Sequence, residues 1–160
     1  MSQYRVLAIS DAVAEAVRAN LRSPQYGHPA YVELAAGFGP CRSCLRTFNE
    51  GQEERVLFTY NTFSDTTITP LPGPVFIHRD ACAPYAEAGM PSDLNTLDLL
   101  VEAYNEDGSV IALEHPAPGH VEDAVLKLFS TEEARFLHLR NAKAGCYVAR
   151  VERLTEDATR

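Results

Sequence analysis

Four potential metal ligands on two short segments place the strongest restriction on how this chain can fold. Cys41 and Cys44 are separated by two residues, a spacing at which a short turn brings both sulfurs to the same side. His78 and Cys82 are separated by three residues and supply a nitrogen and a third sulfur. Three thiolates and one imidazole complete a closed tetrahedral zinc shell. The sequence therefore predicts a structural zinc site formed by these residues, the four-ligand cluster.

Two other interpretations of the four-ligand cluster stay open. Cysteines without a ligand role are often small buried apolar side chains, and His78 could be an exposed imidazole at the end of a strand. Alternatively, the thiols form a reactive or disulfide-forming pair in which Cys41 is a nucleophile. The zinc interpretation predicts that the 37–49 loop is held against residues 78–82.

Length and charge limit the class of protein. A chain of 160 residues fits one ordinary domain, so we predict a single α+β domain over 1–154 and a frayed tail over 155–160. The net charge of -8 opposes the positive surface that nucleic-acid binding requires. Neither a signal peptide nor an apolar run of about 18 residues is present in the sequence. We therefore expect a cytoplasmic protein that binds neither nucleic acid nor membranes, in which closely spaced cysteines are more often metal ligands than disulfides.

Apolar periodicity and turn residues predict a fold of the α+β class, mostly antiparallel sheet built from hairpins with two or three helices packed on it. Glycine and proline interrupt the apolar pattern from 22 to 51, which puts the Cys41–Cys44 segment on a loop. Asp80 is a candidate N-cap for a helix with Cys82 in its first turn. The predicted elements before the C-terminal segment are strands at 4–9, 54–61, 74–78, 97–104 and 109–114, and helices after Ser10, at 81–88 and at 120–129.

The C-terminal segment predicts a further hairpin, formed by 135–140 and 146–153 around a five-residue loop. Pairing Arg140 with Cys146 fixes which side chains share a face. The predicted core face carries Leu137, Leu139, Tyr147, Ala149 and Val151, and the predicted polar face carries His138, Arg140, Cys146 and Arg150.

This polar face offers a second candidate site. An imidazole and a neighbouring cation can lower the pKa of a thiol, so Cys146 is a candidate nucleophile with His138 as its base. Arg140 would bind an anionic substrate group. A thiol-dependent enzyme or redox protein that uses Cys146 or Cys41 is therefore the alternative to zinc binding, while an ordinary exposed face or an anion-binding face stays open.

Other signals of chemistry are weaker. Glu114, His115, His120 and Glu122 could supply nitrogen and oxygen ligands to a divalent metal, but prolines separate them into a turn of unknown geometry. The pair Glu53-Glu54 is typical of the solvated surface of an acidic protein. The segment with Gly37, Gly39 and Pro40 lacks the Lys-Ser/Thr ending of a phosphate loop, so no nucleotide site is predicted.

Two segments carry a family resemblance: Pro40-Cys41-Arg42-x-Cys44-Leu45, and Asn141-Ala142-x-x-Gly145-Cys146-Tyr147-x-Ala149-Arg150-Val151. With them the chain resembles the bacterial domain of unknown function family 1203 over nearly its whole length. The resemblance implies a small bacterial α+β domain and transfers no catalytic residue. Function must therefore be argued from the site.

Overall fold

Three helices and eight strands in two antiparallel sheets make up the described part of the computed structural model, which covers residues 4–37, 39–62 and 73–154. The α+β fold, mostly sheet, is confirmed. The elements are β1 (Tyr4–Leu7), α1 (Asp11–Asn20), β2 (Tyr31–Leu34), β3 (Glu54–Tyr60), β4 (Gly73–His78), α2 (Ser92–Asn95), β5 (Leu99–Tyr104), β6 (Val110–Glu114), α3 (Val121–Phe129), β7 (Phe136–Asn141) and β8 (Tyr147–Arg153).

The chain divides into two units. One consists of Met1–Leu7 with Ala86–Arg160 and contains the five-stranded sheet, which we call the sheet unit. The other, Ala8–Tyr85, contains α1 and the three-stranded sheet, and we call it the cysteine unit. The single domain over 1–154 stays a prediction, and the predicted tail lies outside the described residues. None of the described helices has the length and apolar content to cross a membrane.

The sheet unit orders its strands β1-β8-β7-β5-β6. Register places Val6, Val151, Leu137 and Ala103 in one row across four strands, and all four side chains are buried. Helix α3 contacts β5 and buries its own apolar stripe of Val121, Val125 and Leu128. Each valine or leucine buried in this way contributes about 1.5–3 kcal/mol, so apolar packing accounts for the stability of this core.

The cysteine unit orders its strands β2-β3-β4. Val56 pairs with Ile77 and Phe58 pairs with Val75, and this face is buried. Because side chains alternate along a strand, Phe76 and His78 lie on the opposite face. Helix α1 begins where the Ser10 side chain accepts a hydrogen bond from the backbone N–H of Val13, at 3.3 Å, as predicted.

The predicted helix at 81–88 is wrong. Residues 81–87 have no regular secondary structure. Pro84 disfavours the helical conformation at Ala83, and the Tyr85 N–H donates instead to the Ser43 carbonyl, at 3.0 Å. Cys82 therefore lies on an irregular segment.

Two short elements were missed by sequence reasoning. Strand β2 lies within the predicted 22–51 loop, and its end residues Tyr31 and Leu34 are exposed, so it lacks the alternation that identifies a strand. Helix α2 is a single turn and too short for a periodic pattern.

The predicted register of the last hairpin is also wrong. Arg140 lies opposite Tyr147, not Cys146, and the register shifts between Leu139 and Arg140. This bulge turns Tyr147 away from the predicted core face, and its ring contacts His138, with centroids 5.2 Å apart. Leu137, Leu139, Ala149 and Val151 are buried as predicted.

Candidate metal centre

A tight turn presents the first two cysteines. The Leu45 N–H donates to the Cys41 carbonyl at 2.8 Å, and the Cys41 N–H donates to the Arg46 carbonyl at 2.9 Å. Leu45 has a φ of 60°, a left-handed conformation that costs a non-glycine residue about 1 kcal/mol. The surrounding turn holds this strained backbone, and both sulfurs are buried together.

Backbone hydrogen bonds fix this turn against the two partner segments. The Arg42 N–H donates to the carbonyl of Phe76 in β4, at 3.0 Å. On the other side, the Tyr85 N–H donates to the Ser43 carbonyl at the same distance. The 41–46 turn is therefore bonded both to the strand that ends in His78 and to the segment that carries Cys82.

The four predicted ligands meet in one place. One sulfur or ring-nitrogen atom from each of Cys41, Cys44, His78 and Cys82 lies within 4.8 Å of the other three. The sulfurs of Cys41 and Cys82 are 3.9 Å apart, and the Cys44 sulfur is 3.4 Å from Nδ1 of His78. In a tetrahedral zinc site with bonds near 2.3 Å to sulfur and 2.0 Å to nitrogen, these separations are about 3.8 and 3.5 Å. The cluster can hold a metal ion with small movements of its side chains.

Hydrogen-bond donors surround the sulfurs. The backbone N–H of His78 donates to the Cys41 sulfur at 3.3 Å. From α1, the Arg18 guanidinium donates to the Cys82 sulfur, also at 3.3 Å. Donors of this kind stabilise thiolates, the ionisation state in which cysteine binds a metal.

The His78 ring is held on both sides. Its Nδ1 faces the Cys44 sulfur, its Nε2 lies 3.0 Å from a carboxylate oxygen of Glu53, and the Phe48 ring packs against it with centroids 4.6 Å apart. This arrangement leaves Nδ1 for the metal and places the Nε2 proton toward Glu53, a carboxylate–histidine pairing common behind metal ligands. Hydrogen bonding to Cys44 and Cys82 outweighs burial and raises the pKa of His78 to about 10.

The thiols share protons unequally. The Cys41 thiol donates to the Cys44 and Cys82 sulfurs, and these bonds, together with burial, raise the pKa of Cys41. As acceptors of these bonds, Cys44 and Cys82 have a lowered pKa. The thiolate form is therefore more favourable at Cys44 and Cys82 than at Cys41, beside an imidazole whose pKa is raised. A metal ion binds such a cluster by displacing the remaining protons.

Sequence reasoning missed the residues around the ligands. Glu53 was assigned to solvated surface, yet it contacts His78. Only the register of β3 against β4 reveals this, since Arg55 pairs with His78 and Glu53 lies two positions before Arg55. Arg18 is sixty residues before His78 in the chain, and no spacing signal connects them.

The second predicted site has different surroundings from those expected. His138 is fully buried among the rings of Tyr104, Phe136 and Tyr147, with centroid distances of 5.0, 5.3 and 5.2 Å. Burial, with the charges of Arg140 and Arg150, lowers the pKa of His138 to about 3. A neutral imidazole of so low a pKa is a weak base at pH 7.

The other members of that predicted site are occupied elsewhere. Arg140 pairs with Glu102 at 3.2 Å, and Arg150 pairs with Glu152 at 3.0 Å. Cys146 is half-buried, and its sulfur lies 4.0 Å from the Ala144 carbonyl. Catalysis by Cys146, His138 and Arg140 stays a prediction.

The weaker metal candidates are not brought together. His115 pairs with Asp98 at 2.7 Å, His120 pairs with Asp123 at 2.9 Å, and Glu114 pairs with Lys127 at 2.7 Å. Within the ranges that the structure describes, the four-ligand cluster is the one group of at least three His, Cys, Asp or Glu side chains placed to hold an ion.

Comparison with known families agrees with the resemblance noted in the sequence. The sequence model of the family described as Protein of unknown function (DUF1203) matches residues 38–153. This match covers most of the chain, so the chain belongs to that family. No curated protein and no solved structure matches it.

Proposed function

We propose that this DUF1203 member is a zinc-binding accessory protein, in which one structural zinc ion is held by the four-ligand cluster. The observation that carries the proposal is the approach of four ligand atoms to within 4.8 Å of one another. The ion would clamp the 37–49 loop to residues 78–82. A loop fixed in this way can present the surrounding surface of the cysteine unit to a partner molecule.

The donor set supports zinc over other ions. Thiolate and imidazole are soft and borderline donors that suit zinc, whereas magnesium and calcium prefer oxygen. Four protein ligands fill a tetrahedral shell, so no position remains for a water or substrate. These features favour a structural ion over a catalytic one.

The local chain also supports a stabilising role. Cys82 lies on a segment without regular secondary structure, and a strained residue follows Cys44 in the turn. A zinc ion that joins such segments contributes its binding free energy to folding, on the order of 10 kcal/mol in small zinc domains at pH 7. The cysteine unit therefore gains most from the ion.

Elemental analysis and thiol titration test this function. Protein purified without chelator is expected to contain one zinc per chain. Of the four cysteines, only Cys146 lies outside the cluster, so a thiol reagent should modify one rapidly, and all four after a chelator is added. Metal-free protein whose four thiols all titrate at once would sink the proposal.

The alternative is a thiol-dependent redox protein, and the 3.9 Å approach of the Cys41 and Cys82 sulfurs favours it. In that role one hydrogen peroxide oxidises the two thiols to a disulfide. The peroxide takes up the two electrons and two protons that the thiols lose, and is released as two waters. Mass spectrometry after stoichiometric peroxide decides this case. A loss of two mass units that maps to Cys41 and Cys82 supports it, and unchanged masses contradict it.

A further inference from the structure

Arg18 contacts both halves of the segment that supplies the last two ligands. Its Nε donates to the His78 carbonyl at 2.9 Å, and its terminal nitrogen donates to the Cys82 sulfur at 3.3 Å. One planar guanidinium therefore spans from the end of β4 to the irregular segment that follows. Arg18 itself lies in the last turn of α1.

Cys82 is the ligand that has least local support. Cys41 and Cys44 are oriented by their shared turn, and His78 is fixed by strand pairing and by Glu53. The Arg18 guanidinium joins the Cys82 sulfur to α1, a regular element of the fold.

Charge gives a second reason for an arginine at this place. Three thiolates around a divalent zinc ion leave a net charge of -1 on a partly buried centre, and burying an uncompensated charge is costly. A guanidinium beside the sulfur offsets that charge. Its rigid planar fork holds two acceptors that are several ångströms apart in one fixed geometry, whereas the three donors of a lysine ammonium are on a single nitrogen of a flexible stem.

We propose that Arg18 is the positioning residue of the metal centre: it orients the Cys82 thiolate toward the ion and offsets the excess negative charge. This inference rests on the proposed zinc function. It assigns to α1, sixty residues before His78 in the chain, a direct part in metal affinity.

Zinc affinity of Arg18 variants tests the inference by competition with a chromophoric chelator. Arg18→Gln removes the charge and is expected to weaken zinc binding about 10- to 100-fold, the range typical for residues behind metal ligands. Arg18→Lys keeps the charge but not the fixed double contact. The zinc affinity of this variant should therefore lie between those of the wild type and Arg18→Gln. Arg22→Gln is the matched control, because Arg22 follows α1 and donates to the exposed Gly27 carbonyl.

A second measurement separates positioning from general stability. If Arg18 acts on the ion, Arg18→Gln lowers the urea midpoint of the zinc-bound protein more than that of the zinc-free protein. Equal losses in both states, or a zinc affinity within about twofold of wild type, would overturn the inference. Should Arg18→Gln give no folded protein, Arg18→Lys carries the same comparison. Failure of the wild type to bind zinc refutes the proposed function itself and is seen before any variant is measured.

Discussion

The two units each contain a buried histidine, and the two imidazoles have opposite surroundings. In the cysteine unit, His78 faces the sulfur of Cys44 and the carboxylate of Glu53, and its pKa is raised to about 10. In the sheet unit, His138 is enclosed by aromatic rings near two arginines, and its pKa is lowered to about 3. Burial opposes the charged form at both positions.

The difference shows that the groups around a buried histidine, and not its burial, determine its role. Anionic partners at His78 make an imidazole that a cation can bind by replacing its proton. Rings and cations at His138 make a neutral side chain that packs like an aromatic residue. The cysteine unit should therefore depend on an ion, whereas the sheet unit should depend on apolar packing.

The largest expected effect comes from removing one thiolate of the cluster. Cys44→Ser should abolish stoichiometric zinc binding and remove most of a contribution on the order of 10 kcal/mol. Cys146→Ser is the matched control, because it removes a thiol of the sheet unit outside the cluster. Hydrogen exchange should show faster exchange of the β3 and β4 amides in the first variant only. Equal effects of the two substitutions would break the contrast between the units.

The second prediction concerns His138 in the sheet unit and the fall of the free energy of unfolding at acid pH. The folded pKa of His138, about 3, lies below the value of about 6.5 in an unfolded chain. Well above pH 6.5 the His138 imidazole is neutral in both the folded and the unfolded chain. As the pH falls from about 6.5 toward 3, only the unfolded chain takes up this proton, so stability is lost by up to about 1.4 kcal/mol per pH unit.

His138→Phe removes that loss while it keeps a ring in place. Urea unfolding followed by circular dichroism at pH 7, 6 and 5 should show a shallower fall in the free energy of unfolding for the variant than for the wild type. Acid release of zinc affects both proteins and cancels in the comparison. Parallel pH profiles would show that His138 is not a buried neutral residue.

Local signals in the sequence were enough for most elements and for the ligand set. Ser10 identified the start of α1, and residue type with spacing grouped the four ligands. The register of β7 against β8 could not be predicted, since one bulge after Leu139 changes which side chains are opposite. Alternation alone does not reveal a bulge.

The residues that surround the ligands are brought there by tertiary structure, so the spacing of residues in the sequence does not identify them. Arg18 is an ordinary polar position of an amphipathic helix until the fold brings its side chain to the His78 carbonyl at the end of β4. The absence of a helix at 81–88 likewise reflects Pro84 and the bond from Tyr85 to Ser43, which outweigh the capping signal of Asp80. Residue type and spacing in the sequence identify the four ligands, whereas the tertiary fold determines which other residues contact and orient them.

The smallest of these effects concerns Glu53, whose carboxylate accepts a hydrogen bond from the Nε2–H of His78. Glu53→Gln keeps the size and one acceptor oxygen but removes the charge that makes the imidazole a stronger donor to a metal. Zinc affinity should fall about tenfold, equivalent to about 1.4 kcal/mol. Glu54→Gln is the control, because the Glu54 carboxylate, next to Glu53 in the chain, pairs with exposed Arg79 and not with the cluster. If both variants bind zinc equally well, the carboxylate does not tune His78. The contrast between the two histidines would then rest on the sulfurs alone.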